Sequence, residues 1–136
     1  MTGRLDHIGI FVDSLEKAIP FYRSVIGRGA PVIREVPEIG LRLAFFHDQG
    51  GLPIELVETS GKTEMKHGDV VVALEVDDLE GEIARLKAAG IRAYHQKPTQ
   101  NLPLSRGWIT KDDGHGTIVE LCPKGEVARF VLGKTG

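Results

Sequence analysis

Apolar and polar positions along this chain repeat on a long period. The segment His7-Ile8-Gly9-Ile10-Phe11-Val12-Asp13-Ser14-Leu15-Glu16 lies over Val71-Val72-Ala73-Leu74-Glu75-Val76-Asp77-Asp78-Leu79-Glu80 at a constant offset of 64 positions. Each copy reads as an apolar strand, a polar turn and the start of a helix. In both, an Asp stands three residues ahead of a Glu (Asp13 and Glu16, Asp77 and Glu80), the spacing at which an N-cap carboxylate and a third-position Glu satisfy free backbone donors. The first helix then carries Leu15, Ala18, Ile19 and Tyr22 on its buried side, continued by Val25 and Ile26, and the second carries Leu79, Ile83 and Leu86. Gly27 and Gly90 stand where helix ends require them. Pro20 falls inside the first helix, removes a donor and predicts a kink or local loosening there.

Behind each helix come three β-rich pieces: Pro31 to Glu35, Leu41 to His47 and Pro53 to Glu58, then Arg92 to His95, Gly107 to Lys111 and Thr117 to Cys122. Turn signals separate them, among them Asp48-Gln49-Gly50-Gly51 and Asp112-Asp113-Gly114. Ile54-Glu55-Leu56 matches Val119-Glu120-Leu121 at an offset of 65, one loop residue more than the first match. The expected fold class is α+β: two tandem βαβββ modules whose curved sheets enclose a cleft. The first module covers residues 1–60, a polar linker 61–68, the second module 69–123 and a tail 124–136 that packs through Val127, Phe130 and Val131.

Against that pattern three polar residues stand out. His7 lies on an opening strand and Glu55 on a closing strand, each among apolar neighbours, and Glu120 repeats the situation of Glu55. Inward-facing polar groups on buried strands need partners. The fourth equivalent position is Val71, which offers no donor atom. The plainer reading makes His7 a satisfied strand histidine and pairs the glutamates with arginines such as Arg42 and Arg106. Trp108 is expected near the counterpart of Leu43, lining the cleft with Leu43, Phe45 and Val71. Cys122, two positions past Glu120, points to the same strand face and reads as packing. His47, His67, His95 and His115 read as surface imidazoles.

Composition narrows the partners. At 136 residues, 41% hydrophobic and 26% charged, the chain has the size of one ordinary globular domain. A net charge of −2 gives no broad electrostatic attraction for nucleic acid or an anionic membrane. Cys122 is the sole cysteine, so no disulfide forms within the chain, and neither a signal-peptide pattern nor a spanning apolar segment is seen; a cytoplasmic location is the expectation. A nucleophile elbow, a P-loop and a dinucleotide fingerprint are all lacking.

The set Leu5-Asp6-His7-Ile8-Gly9-Ile10, Phe21-Tyr22-Arg23-Ser24-Val25-Ile26-Gly27, Ile54-Glu55-Leu56, Leu74-Glu75-Val76-Asp77-Asp78-Leu79 and Ile118-Val119-Glu120-Leu121 resembles the vicinal-oxygen-chelate superfamily of glyoxalases, bleomycin-resistance proteins and dioxygenases, most nearly its methylmalonyl-CoA epimerase and glyoxalase branches. That resemblance implies a divalent metal (Zn, Ni, Co, Mn or Fe) held by His7, Glu55 and Glu120, with Val71 standing where epimerases place a second histidine, so that the metal is either held by three ligands or absent. Leu43 stands roughly where epimerases carry a carboxylate base. The leading expectation is an isomerase or lyase that works on a small substrate through an enolate, with Glu55 or Glu120 as catalytic carboxylate. The alternative is a metal-free, bleomycin-resistance-like protein that binds a hydrophobic or aromatic ligand between Leu43, Phe45, Val71 and Trp108. A ring-cleaving dioxygenase ranks last, because only one of its two histidines is present. A homodimer is also implied.

Overall fold

Alternation of apolar side chains becomes strand, and a stripe of them at helical spacing becomes the helix that covers the strands. The computed structural model describes residues 4–26, 29–46, 53–60, 65–100 and 102–132. They fall into two compact units, residues 7–70 and residues 1–6 with 71–136. Gly27, His47, the Asp48–Gly51 turn, linker residues 61–64 and tail residues 133–136 lie outside the described residues.

In the first unit, β1 (Arg4–Phe11) leads to helix α1 (Leu15–Ile26), then β2 (Val32–Val36), a 3₁₀ turn (Pro37–Ile39), β3 (Leu41–Phe46) and β4 (Ile54–Thr59). The strand order is β2-β3-β4-β1, with β4 antiparallel to β3 and parallel to β1. The parallel pair brings the opening and closing strands of the module side by side. One face of these strands packs under α1 in a core of Val12, Leu15, Ala44, Phe46 and Leu56, joined by Ile10, Ala18, Ile19 and Tyr22. Val25, expected on that buried side, is 66% exposed: it lies roughly 80° round the helix from Leu15, at the rim of the stripe. Helix α1 continues through Pro20 to Ile26, with Pro20 on its exposed side.

The second unit repeats the plan. Strand β5 (Val70–Val76) leads to α2 (Leu79–Ala88), β6 (Tyr94–Gln96), β7 (Arg106–Ile109), β8 (Ile118–Pro123) and a third helix α3 (Glu126–Leu132). Its order β5-β8-β7-β6 mirrors the first, again with the opening and closing strands parallel. Val76, Leu79, Leu86, Ile109 and Leu121 form the core under α2. The chain therefore has the α+β fold of two tandem βαβββ modules.

Both helix caps sit one residue later than the Asp–Glu spacing predicts. Ser14 Oγ accepts from the Lys17 N–H at 3.3 Å, and Asp78 Oδ1 accepts from the Gly81 N–H at 3.1 Å. These positions are again 64 apart, so the repeat holds while the capping residue shifts. Asp13 instead donates its backbone N–H to His67 Nδ1 at 3.0 Å. Gly90, at φ +83°, ends α2 in a Schellman turn: its N–H bonds to the Lys87 carbonyl and the Ile91 N–H to that of Leu86. Strand β6 is shorter than expected, because Arg92 turns both its backbone N–H and its guanidinium to Asp113. The tail contributes α3 through buried Val127, anchored where Glu126 accepts the Ser105 N–H at 2.8 Å. Among the described residues no helix is long and apolar enough to cross a membrane.

Candidate functional site

The face of the first unit turned away from α1 carries polar chemistry in an apolar setting. Gly9 of β1 is in register with Glu55 of β4, so His7, two residues earlier, shares that face with Glu55. Parallel pairing brings His7 Nε2 to 3.5 Å from Glu55 Oε1, with the two side chains only 2% and 10% exposed. Phe45 lies directly across from Glu55 on β3 and meets the imidazole edge-on, ring centres 5.0 Å apart. Leu43, two residues along the same strand, is buried as well. The result is an imidazole and a carboxylate in mutual reach, walled by an aromatic ring and a leucine. That setting strengthens their electrostatic interaction and makes either one costly without the other.

The second unit keeps the carboxylate and changes its partner. Ala73 of β5 is in register with Glu120 of β8, so Val71 stands where His7 stands in the first unit. Val71 is buried and has no polar atom, yet Glu120 is 2% exposed and needs compensation. Arg106 of β7 supplies it: Nη1 donates to Glu120 Oε2 at 3.3 Å, and Arg106 is itself 7% exposed. The Cys122 thiol donates to the other oxygen at 3.0 Å. Burial first, and then the charge of Glu120, push that thiol well above its ordinary range and keep it protonated. The guanidinium lies 5.2 Å from the centre of the Trp108 ring, whose indole N–H is fixed by Gln96 Oε1 at 2.6 Å. Arg106 Nε is buried without a hydrogen-bond partner.

Strand register also corrects one equivalence. Trp108 faces Glu120 as Phe45 faces Glu55, so Trp108 is the counterpart of Phe45, and Arg106, two residues before Trp108, is the counterpart of Leu43, two residues before Phe45. Of the two arginines weighed as carboxylate partners, Arg106 takes Glu120, whereas Arg42 bonds to Glu16 and Glu58 on the other side of the strand. His67, His95 and His115 are exposed. A separate cavity of about 440 Å³ lies beside the start of α1, lined by Ile10, Val12, Ser14, Lys17, Phe21 and His67; no sequence signal pointed to it.

Two donors on one divalent ion at a tetrahedral angle stand about 3.4 Å apart. The His7–Glu55 separation of 3.5 Å matches this, and imidazole with carboxylate is a donor set such ions accept. Glu120 does not fit in the same way, since each of its oxygens already accepts a bond and one donor is a cation. Among the described residues, neither unit by itself gathers three His, Cys, Asp or Glu side chains around one point.

Comparison with known proteins agrees with the fold. The family model described as the glyoxalase/bleomycin resistance protein/dioxygenase superfamily matches residues 4–119. The mitochondrial methylmalonyl-CoA epimerase of Mus musculus is 31% identical over 136 residues, covering 88% of this chain and 72% of the epimerase. A probable lactoylglutathione lyase of Vibrio parahaemolyticus is 37% identical over 94 residues, covering 65% of this chain and 68% of the lyase. The crystal structure of methylmalonyl-CoA epimerase from Mycobacterium tuberculosis superposes with a TM-score of 0.71 at 26% identity, covering 90% of this chain and 87% of that one.

Proposed function

This chain belongs to the glyoxalase/bleomycin resistance protein/dioxygenase superfamily, and on that premise we propose that it is an enzyme of the isomerase or lyase type that moves a proton next to a carbonyl of a small substrate through an enolate. The observation that carries the reading is the buried His7–Glu55 pair at 3.5 Å. Relatives named as an epimerase and as a lyase support the reaction class. His7 and Glu55 are the residues that would hold a divalent ion, which when bound supplies Lewis-acid stabilisation of negative charge on a substrate oxygen. Glu55, whose Oε1 faces the imidazole, is the carboxylate that takes the proton. Phe45, edge-on to the imidazole, and buried Leu43 wall the pair off from water.

The test is proton exchange in D₂O. The purified protein is incubated with a 2-substituted acyl thioester and, separately, with a 2-oxoaldehyde–thiol adduct, with and without Zn²⁺, Ni²⁺, Co²⁺ or Mn²⁺, while the α-proton signal is followed by NMR. Exchange that falls at least about 100-fold in His7→Ala and Glu55→Gln is the expected result. No exchange of either compound under any of these conditions refutes the proposal.

A second reading has its own observation. Val71 at the position of His7, with Glu120 neutralised by Arg106, favours a metal-free ligand-binding protein. Saturable binding of an aromatic ligand, quenching Trp108 fluorescence without any proton exchange, selects that reading over the first.

A further inference from the structure

We propose that Arg106 is a built-in cation that takes the place of a metal ion at Glu120, so that Glu120 is not a metal ligand in this chain. Three observations converge on it. A buried carboxylate demands positive charge, and in the second unit the first-strand position that supplies His7 to Glu55 holds Val71. The missing group is made up from the third strand of the module, where Arg106 occupies the position of Leu43. Relative to the first unit, the second has thus lost an imidazole and gained a guanidinium, and both changes bear on the same carboxylate. Finally, the guanidinium has two fixed neighbours: Glu120 Oε2, which accepts from Nη1 at 3.3 Å, and the Trp108 ring, whose centre is 5.2 Å from the guanidinium carbon and whose indole N–H is pinned by Gln96. A divalent ion approaching Glu120 meets this fixed positive charge and a thiol already bonded to the second oxygen. The inference does not depend on the enzymatic reading, because it concerns which cation Glu120 holds and not what the first-unit pair does.

The experiment has two arms. Mn²⁺ is titrated calorimetrically into the parent chain, His7→Ala and Glu120→Gln. In parallel, Arg106→Ala is melted with increasing methylguanidinium, against equal concentrations of NaCl. The proposal expects Glu120→Gln to leave Mn²⁺ binding within threefold of the parent, whatever the parent value is. It also expects Arg106→Ala to lose thermal stability and to regain a substantial part of it with millimolar methylguanidinium but not with NaCl. The double variant Arg106→Ala/Glu120→Gln shows no such rescue. Arg106→Lys, which keeps a cation beside Glu120, serves where Arg106→Ala does not fold, and is expected to remain folded without methylguanidinium. Loss of Mn²⁺ affinity by tenfold or more in a folded Glu120→Gln overturns the proposal, as does an Arg106→Ala chain indifferent to methylguanidinium or an unfolded Arg106→Lys. A parent chain that binds no Mn²⁺, or one whose binding survives His7→Ala, counts against the His7–Glu55 metal reading and leaves the methylguanidinium arm to decide this one.

Discussion

Replacing Glu120 by leucine should strip the anion from a cation that has nowhere to go. Arg106 is 9% exposed at its side chain and Glu120 is 2% exposed, so solvent screens neither charge. Breaking a buried pair by removing one partner costs about 3–5 kcal/mol, since the remaining charge stays desolvated. Loss of the acceptor for the Cys122 thiol adds to the cost, and the leucine side chain, apolar among Val71 and Ala73, offsets part of it. We expect a net loss of about 3 kcal/mol, or roughly 10 °C in melting temperature for a domain of this size. The double variant Arg106→Met/Glu120→Leu replaces two charges by an apolar pair of similar volume and should return to within about 1 kcal/mol of the parent or exceed it. Trp108 is the sole tryptophan and lies against the guanidinium, so its fluorescence during urea unfolding reads the site directly. A single variant within about 1 kcal/mol of the parent, or a double variant as unstable as the single, would show that the pair is not what holds the second unit's strands together.

Four other contacts carry predictions of their own. Asp78→Ala should cost about 1 kcal/mol in a urea titration by removing the cap of α2. A Cβ at Gly81 would sit 2.3 Å from Asp78 Oδ2, so Gly81→Ala should be near neutral in the parent, its helix-propensity gain of about 1 kcal/mol cancelled by a displaced cap, and clearly stabilising in Asp78→Ala. Arg92 beside Asp113 holds that carboxyl at about 2, below its ordinary 3.8. A depressed folded-state value means a contribution present above pH 4 and lost as pH falls towards 2; the stability gap between the parent and Asp113→Asn should therefore be constant at neutral pH and close across that window in acid titrations followed by circular dichroism. Cys122 is buried with its thiol held protonated, so the native protein should resist thiol reagents at pH 8 and react fully in denaturant; stoichiometric labelling of the native chain would contradict this placement.

The repeat was legible because its signal is long: two aligned strand–turn–helix segments and two matched closing strands fix module order, and register follows from the position of each glutamate. Local chemistry was less so. Asp13 and Asp77 have the residue type and spacing of caps, yet in both units the role passes to the next residue, Ser14 and Asp78, while the Asp13 N–H goes to His67, a contact over 54 positions that spacing does not encode. The assignment of Trp108 slipped by two residues because the third strands of the two modules are offset by 63 positions (Phe45 to Trp108) and the closing strands by 65 (Glu55 to Glu120), and on a strand two residues restore the same face. Arg106 was one of two arginines weighed as a carboxylate partner, and only cross-strand register separates it from Arg42, which faces the other way. The helix at the tail had the right spacing of Val127 and Phe130, but too few residues for its periodicity to be decisive.

Parallel pairing of the opening and closing strands also has a bearing on how the protein is made. His7 and Glu55 are 48 positions apart and meet only through the contact between β1 and β4, with α1, β2 and β3 looped out between them. Closing a loop of that length costs about 3 kcal/mol of chain entropy before any strand contact returns it. The His7–Glu55 pair thus forms only once β4 has paired with β1, whereas Arg106 and Glu120, 14 positions apart on the antiparallel β7 and β8, meet through a far more local contact. An intact His7–Glu55 pair is in that sense its own proof that the first module has closed.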